Sequence, residues 1–226
     1  YAWIFALMGG RSLARYLMAR GFRVYLIDWG NPRSSESHLT LETYTLHWFP
    51  KAIAAVQRHS REKQVTLLGY CMGGLLSLIY TAAEGNAIVK NLVTIASPIN
   101  MYHMVGPVGK ITQLMSMPSA LIKKYTGKHL KDIDPDWFHV EGRVLSVLFK
   151  LTQPQAIFSS YVDLVKNISN EHYVSRYMTM NEWFSNMPDY PGATVQEMMQ
   201  KLGLANSLHG GEFRIGGRDI SFKRIH

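Results

Sequence analysis

A single cysteine, Cys71, stands among the 226 residues. One thiol forms no internal disulfide and supplies no cluster of sulfur ligands. That excludes a disulfide-stapled framework and a cysteine-bound metal, and it fits a reducing, cytoplasmic setting. Runs of about 18 consecutive apolar residues are also lacking, because Lys and Arg interrupt every hydrophobic stretch, so no transmembrane segment is expected. The first residue is Tyr1 rather than Met, and no basic region precedes the apolar stretch from Tyr1 to Met8. A signal peptide is therefore not expected, and the chain is expected to lack its natural N-terminus. There is no internal repeat, no low-complexity tract and no linker to a second domain. With 47% apolar and 18% charged residues, disordered and collagen-like readings fall away.

What is present fits one α/β domain with a sizeable core. The formal charge of +8 is compatible with an anionic partner such as the phosphates of coenzyme A. Lys and Arg are scattered rather than grouped, however, so a solvated basic surface is the plainer reading and no nucleic-acid partner is expected.

Ser12 to Arg20 carries Leu13, Leu17 and Met18 at helical spacing, with Gly21 where a C-terminal cap glycine stands. Phe22 to Ile27 has the length and composition of a strand, and Asp28-Trp29-Gly30-Asn31-Pro32 reads as the turn that ends it. Thr40 is placed to cap a helix that turns Leu41, Tyr44, Trp48, Ile53 and Val56 toward a core, with Pro50 kinking it or starting a second segment. Val65 to Leu68 and Asn91 to Ala96 are short buried strands around a helix from about Met72 to Ala83. Three strands separated by helices predict a parallel sheet. From 99 to 204 the alternation gives way to helical segments rich in Met and aromatic residues. Met101, Met104, Met115, Met117, Trp137, Phe138, Trp183 and Phe184 are expected mostly to pack that region's own core, with some lining a channel for an apolar chain. Glu212 to Ile220 reads as a short hairpin or a connector returning to the sheet. The expected organisation is therefore a core over 1–98, a helical cap over 99–204 and a connector over 205–226.

The chemistry centres on Gly69-Tyr70-Cys71-Met72-Gly73-Gly74, between a buried strand and a helix, the setting of a nucleophile elbow. Glycines at 69 and 73 are expected to remove Cβ atoms that would collide, leaving Cys71 strained and its sulfur presented. The helix N-terminus is expected to favour thiolate, and the Met72 N–H to point to where an oxyanion forms. The bland alternative is a buried structural cysteine. A phosphate-binding loop is a weaker rival, since the turn lacks the Lys-Ser/Thr pair. Asp28 and Trp29 are assigned structural support rather than catalysis.

Arg23-Val24-Tyr25-Leu26-Ile27-Asp28-Trp29-Gly30-Asn31-Pro32, then Leu67-Leu68-Gly69-Tyr70-Cys71-Met72-Gly73-Gly74 and Thr94-Ile95-Ala96-Ser97-Pro98, resemble the core of polyhydroxyalkanoate synthases, particularly the short two-component type. Gly10-Arg11-Ser12-Leu13, Trp183 to Pro188, Pro191-Gly192 and Gly216-Gly217-Arg218 are similar to that family too, so the likeness covers nearly the whole chain. It implies an α/β-hydrolase-like parallel sheet with an inserted helical cap. It also implies transfer of 3-hydroxyacyl groups from coenzyme A to a growing polyester through an acyl-cysteine, with Cys71 as nucleophile. No cofactor is implied, the CoA thioester being substrate. The implied partners are 3-hydroxyacyl-CoA, the polyester chain, an accessory synthase subunit and a second copy, at the surface of a cytoplasmic polyester granule.

The family's aspartate and histidine lie beyond the segment resembling Gly216-Gly217-Arg218, so the C-terminal strands and both groups are expected after His226, and neither His226 nor Asp219 inherits their role. Histidines 38, 47, 59, 103, 129, 139, 172 and 209 are expected on the surface or in packing. Ala6 and Gly9 stand where the family more often has Asp and Pro. Two rival readings remain: a cysteine hydrolase of the dienelactone-hydrolase kind, which lacks so long a cap, and a catalytically inert piece of the synthase that only binds.

Overall fold

The structure, a computed structural model, describes residues 2–7, 10, 12–84, 87–100, 130–152, 154–204, 206–211 and 213–225. The chain divides into two compact units, one formed by Tyr1–Arg33 with Val140–Tyr190 and the other by Ser34–His139 with Pro191–His226.

In the first unit, helix α1 (Leu13–Met18) is capped by Ser12, whose hydroxyl oxygen accepts the Arg15 N–H at 3.1 Å. Gly21 follows with φ 86°, the left-handed conformation expected of a glycine there. Residues 22–30 carry no regular secondary structure, against the strand predicted over Phe22 to Ile27. A strand exists through its ladder, and among the described residues none pairs with this segment, which leaves Phe22 61% and Leu26 48% exposed. The turn after it is as read: the Asp28 carboxylate accepts the Gly30 N–H at 3.0 Å, and Gly30 has φ 73°. Val140 and Tyr190 pair in an antiparallel bridge. Between them run α4 (Gly142–Thr152), α5 (Pro154–Lys166) and α6 (Glu171–Ser185). The Asp189 carboxylate holds the Gly142 N–H at 2.8 Å, and the Asn170 side chain caps α6.

The second unit holds the parallel sheet. Thr40 and Thr43 cap one another's N–H groups with their hydroxyls, at 3.2 and 3.3 Å, as the helix begins. The turns widen to π geometry over Thr43–Trp48 before α2 (Phe49–Ser60) resumes the α form. Pro50 sits in the first turn of α2, where its missing N–H costs least. β1 (Val65–Tyr70) leads through Cys71 into α3 (Met72–Glu84), and β2 (Val89–Ile95) returns parallel to β1. The sheet therefore has two strands among the described residues rather than the three predicted, and the α/β class stands. α7 (Gly192–Glu197), a π turn (Met198–Leu204) and the short α8 (Ser207–Gly210) follow. Then comes the expected hairpin of β3 (Phe213–Ile215) and β4 (Arg218–Ile220). Its turn residues Gly216 and Gly217 both have positive φ, 57° and 73°, which matches the right-handed twist of the paired strands.

α3 is apolar on nearly every face and forms the centre of this core. Leu75, Ile79 and Ala82 are fully enclosed, and Tyr80 stacks on Phe49 of α2 with ring centroids 4.7 Å apart. α7 is tied to the start of the α2 segment by hydrogen bonds from the Ala193 N–H to Ser37 O and from the Thr194 hydroxyl to Leu39 O, each 2.7 Å. The Glu197 carboxylate accepts the Leu41 N–H at 2.7 Å, capping a helix end from outside its own chain segment.

Candidate active site

Parallel pairing brings the C-terminal ends of β1 and β2 level, with Tyr70 opposite Ile95. One more ladder bond follows, from the Cys71 N–H to Ile95 O at 2.8 Å. The chain then bends at Cys71, φ 51°, and enters α3 at Met72. A left-handed non-glycine residue costs roughly 1–2 kcal/mol and persists where its surroundings over-determine it. Here the ladder bond fixes the amide, while the Gly74 and Leu75 N–H groups both donate to the Cys71 carbonyl, at 3.0 and 3.2 Å.

The bend needs glycine at two positions, and only one is of the predicted pair. A methyl group on Gly69 would lie 2.5 Å from the Gly73 oxygen and from the backbone of Gly74, because α3 folds straight back over β1. At Gly73 a methyl would meet nothing within 4 Å, so the expected collision there is absent. Its carbonyl instead accepts the Ser77 hydroxyl at 2.7 Å. The second steric requirement falls on Gly74, where a methyl would run into the Ser97 hydroxyl and stand 3.0 Å from Gly69 O. Residues 65 to 84 thus run strand, bend, helix as the elbow reading requires.

The thiol is half-buried, neither sealed in the core nor fully presented. Burial pushes it above its ordinary value of 9.0, and the hydrogen bond from the Met72 N–H to the sulfur offsets this only in part. The expectation that the helix end would favour thiolate is therefore corrected: loss of solvent outweighs the N–H donor. That donor, expected at a developing oxyanion, faces the sulfur in the resting site. The Tyr70 phenol is raised as well, first by burial and then by the neighbouring Cys71. Among the described residues no histidine or carboxylate hydrogen-bonds to the sulfur.

His38, His47, His59, His172 and His209 are exposed, as expected. His139 is half-buried and lies 3.3 Å from the Ser37 hydroxyl through Nδ1. His103, His129 and His226 lie outside the described residues, as do Met101, Met104, Met115 and Met117. Asp219 is exposed on β4 beside Arg214, at 3.7 Å, a surface pair. Trp137, expected to pack, is 84% exposed. No group of three or more His, Cys, Asp or Glu side chains among the described residues is arranged to hold a metal. Ser97, which follows β2 in the segment Thr94 to Pro98, is given no role by the sequence, and its hydroxyl lies buried against Gly74.

The family described as the alpha/beta hydrolase fold matches residues 7–123, which takes in β1, the bend, α3 and β2. The chain belongs to the α/β hydrolase fold family. Within it, the chain is 30% identical over 99% of its length to the poly(3-hydroxyalkanoate) polymerase subunit PhaC of Haloferax mediterranei, covering 43% of that protein. It is 29% identical over 97% of its length to the subunit of the same name from Synechocystis sp., covering 56% of it. The Thiocystis violacea subunit is 27% identical over 95% of this chain and 57% of its own. The chain thus spans about half the length of the curated relatives it matches.

Proposed function

We propose that this α/β hydrolase fold protein is a polyhydroxyalkanoate synthase that carries its growing polyester on Cys71. One observation supports the reading above all. A strained, half-buried cysteine stands at the bend between β1 and α3, in a chain similar over nearly its whole length to poly(3-hydroxyalkanoate) polymerase subunits.

The reactivity of a thiol toward a thioester supports the following steps. A base removes the thiol proton, which burial otherwise retains. The thiolate attacks the carbonyl carbon of a 3-hydroxyacyl-CoA, and the Met72 N–H passes from sulfur to the developing oxyanion. The bond from carbon to the CoA sulfur breaks, and CoA leaves with the proton. The hydroxyl of a second hydroxyacyl unit then attacks the acyl-cysteine. An ester forms, the bond to Cys71 breaks, and the hydroxyl proton returns to the thiolate; the lengthened chain, now the acyl group of a CoA thioester, is taken back by Cys71 as in the first step, with release of that CoA. Thioester exchange is nearly balanced because the two sulfurs are of similar basicity, so the acyl group stays activated for the next transfer. No cofactor enters this scheme. An accessory subunit, a second copy and the surface of a cytoplasmic polyester granule complete the setting. No helix among the described residues is long and apolar enough to cross a membrane.

The test uses the full-length protein with 3-hydroxybutyryl-CoA. Free CoA and insoluble polymer should accumulate together, and Cys71→Ala should remove both. Release of CoA with free hydroxy acid and no polymer would mean a hydrolase instead, and turnover surviving in Cys71→Ala would take residue 71 out of the mechanism.

A further inference from the structure

β1 and β2 end in the same unusual way. Past the last paired residues, Tyr70 and Ile95, each strand enters a left-handed residue that is not glycine: Cys71 with φ 51° and Ala96 with φ 52°. Strain at Cys71 belongs to the elbow. The turn at Ala96 delivers Ser97. The Ser97 hydroxyl lies against Gly74 in the first turn of α3, at the place where any larger residue at 74 would collide with it. Its oxygen is removed from solvent and has no hydrogen-bond partner among the described residues. A buried hydroxyl without a partner lowers stability, and in a folded protein it calls for a reason.

We propose that Ser97 is a positioning residue of the Cys71 site, its hydroxyl lodged against Gly74 to set where the first turn of α3 carries the Met72 N–H with respect to the sulfur. The first turn of a helix is held at one end only, and here that end is the strained residue itself. Gly74 closes the turn by donating to the Cys71 carbonyl at 3.0 Å, so a displacement at Gly74 is passed directly to residue 71. The small Gly74 and the polar, short Ser97 fit one another. The pair seats the bend from the β2 side, while Gly69 admits it from the β1 side.

This inference rests on Cys71 being the reacting sulfur, and its test reads the thiol without polymerisation. The rate at which iodoacetamide alkylates Cys71 is followed against pH in the full-length protein, and each variant is also melted. Ser97→Ala should move the alkylation profile to higher pH by about half a unit or more, because the Met72 N–H is less well aimed. It should leave the melting temperature equal or higher, because an unpaired hydroxyl has gone. Ser97→Thr and Ser97→Val have side chains of the same shape, and because the Ser97 oxygen acts here through its volume and not through a hydrogen bond, their profiles should coincide with one another. Superimposed profiles for Ser97 and Ser97→Ala, or profiles that separate Thr from Val, would overturn the proposal. So would a fall in melting temperature with an unmoved profile. A Cys71 that alkylates normally in a protein whose Cys71→Ala variant still polymerises would count against the synthase mechanism and leave the role of Ser97 to be read from the profiles alone.

Discussion

α3 and α5 are both helices of 13 residues, yet one is enclosed and the other lies open. α3 has Leu75, Ile79 and Ala82 at 0% exposure, whereas α5 buries no residue and leaves Phe158 72% and Val165 69% exposed. α3 is apolar on nearly every face, and a helix of that kind has no stable place except between other elements. α5 interleaves its apolar residues with Gln155, Ser159, Ser160, Asp163 and Lys166, so water is acceptable on much of its surface. The contrast teaches that apolar content alone does not locate a core. Cys71 stands at the start of the helix that cannot be solvated.

That contrast should break most sharply at Leu75. Leu75→Ala removes a fully enclosed side chain and should cost about 2–5 kcal/mol, read as a lowered midpoint in urea unfolding. A next effect is expected at the α7 tie. Glu197→Ala leaves the Leu41 N–H without its acceptor and the Lys201 ammonium without its 2.6 Å partner, and should cost about 2 kcal/mol in the same assay.

Alkaline titration tests the enclosed side from another direction. The phenol of Tyr80 is pushed up to about 12 by burial first and by Glu84 second, and Tyr44 to about 12 by burial and Glu36. A raised phenol favours the neutral form in the folded state. Its stabilisation is complete below the unfolded value near 10 and is lost as pH climbs toward 12. Between pH 10 and 11.5 this stabilisation is progressively lost, and Tyr80→Phe should flatten the stability profile over that range. The smallest change is expected on α5: Phe158→Ala should move the unfolding midpoint by less than about 0.5 kcal/mol. A loss there as large as at Leu75 would remove the distinction between the two helices.

Most of what surrounds Cys71 was legible in the sequence because it is local. Val65 to Leu68, the glycine-flanked Cys71 and the apolar run after it specify strand, bend and helix within twenty residues of chain. Thr40, Pro50 and the Gly216-Gly217 pair were legible for the same reason, since each acts on its own turn. What was not legible depends on partners distant in sequence. Phe22 to Ile27 has strand composition, but composition does not supply a ladder. Trp137 has the size of a core residue without a core to enter. The glycine requirement shifts from Gly73 to Gly74 because the obstacle is Ser97, which arrives from another strand. The state of the thiol was misjudged for a related reason, because burial is a tertiary quantity and it outweighs the local N–H donor.

Polymerisation through Cys71 requires the acyl group to reside on the sulfur at the bend. Full-length protein mixed with 3-hydroxybutyryl-CoA, quenched in acid and digested, should give a Cys71 peptide heavier by one or more hydroxybutyryl units, removable by hydroxylamine and absent from Cys71→Ala. Polymer forming while that peptide stays unmodified would contradict it.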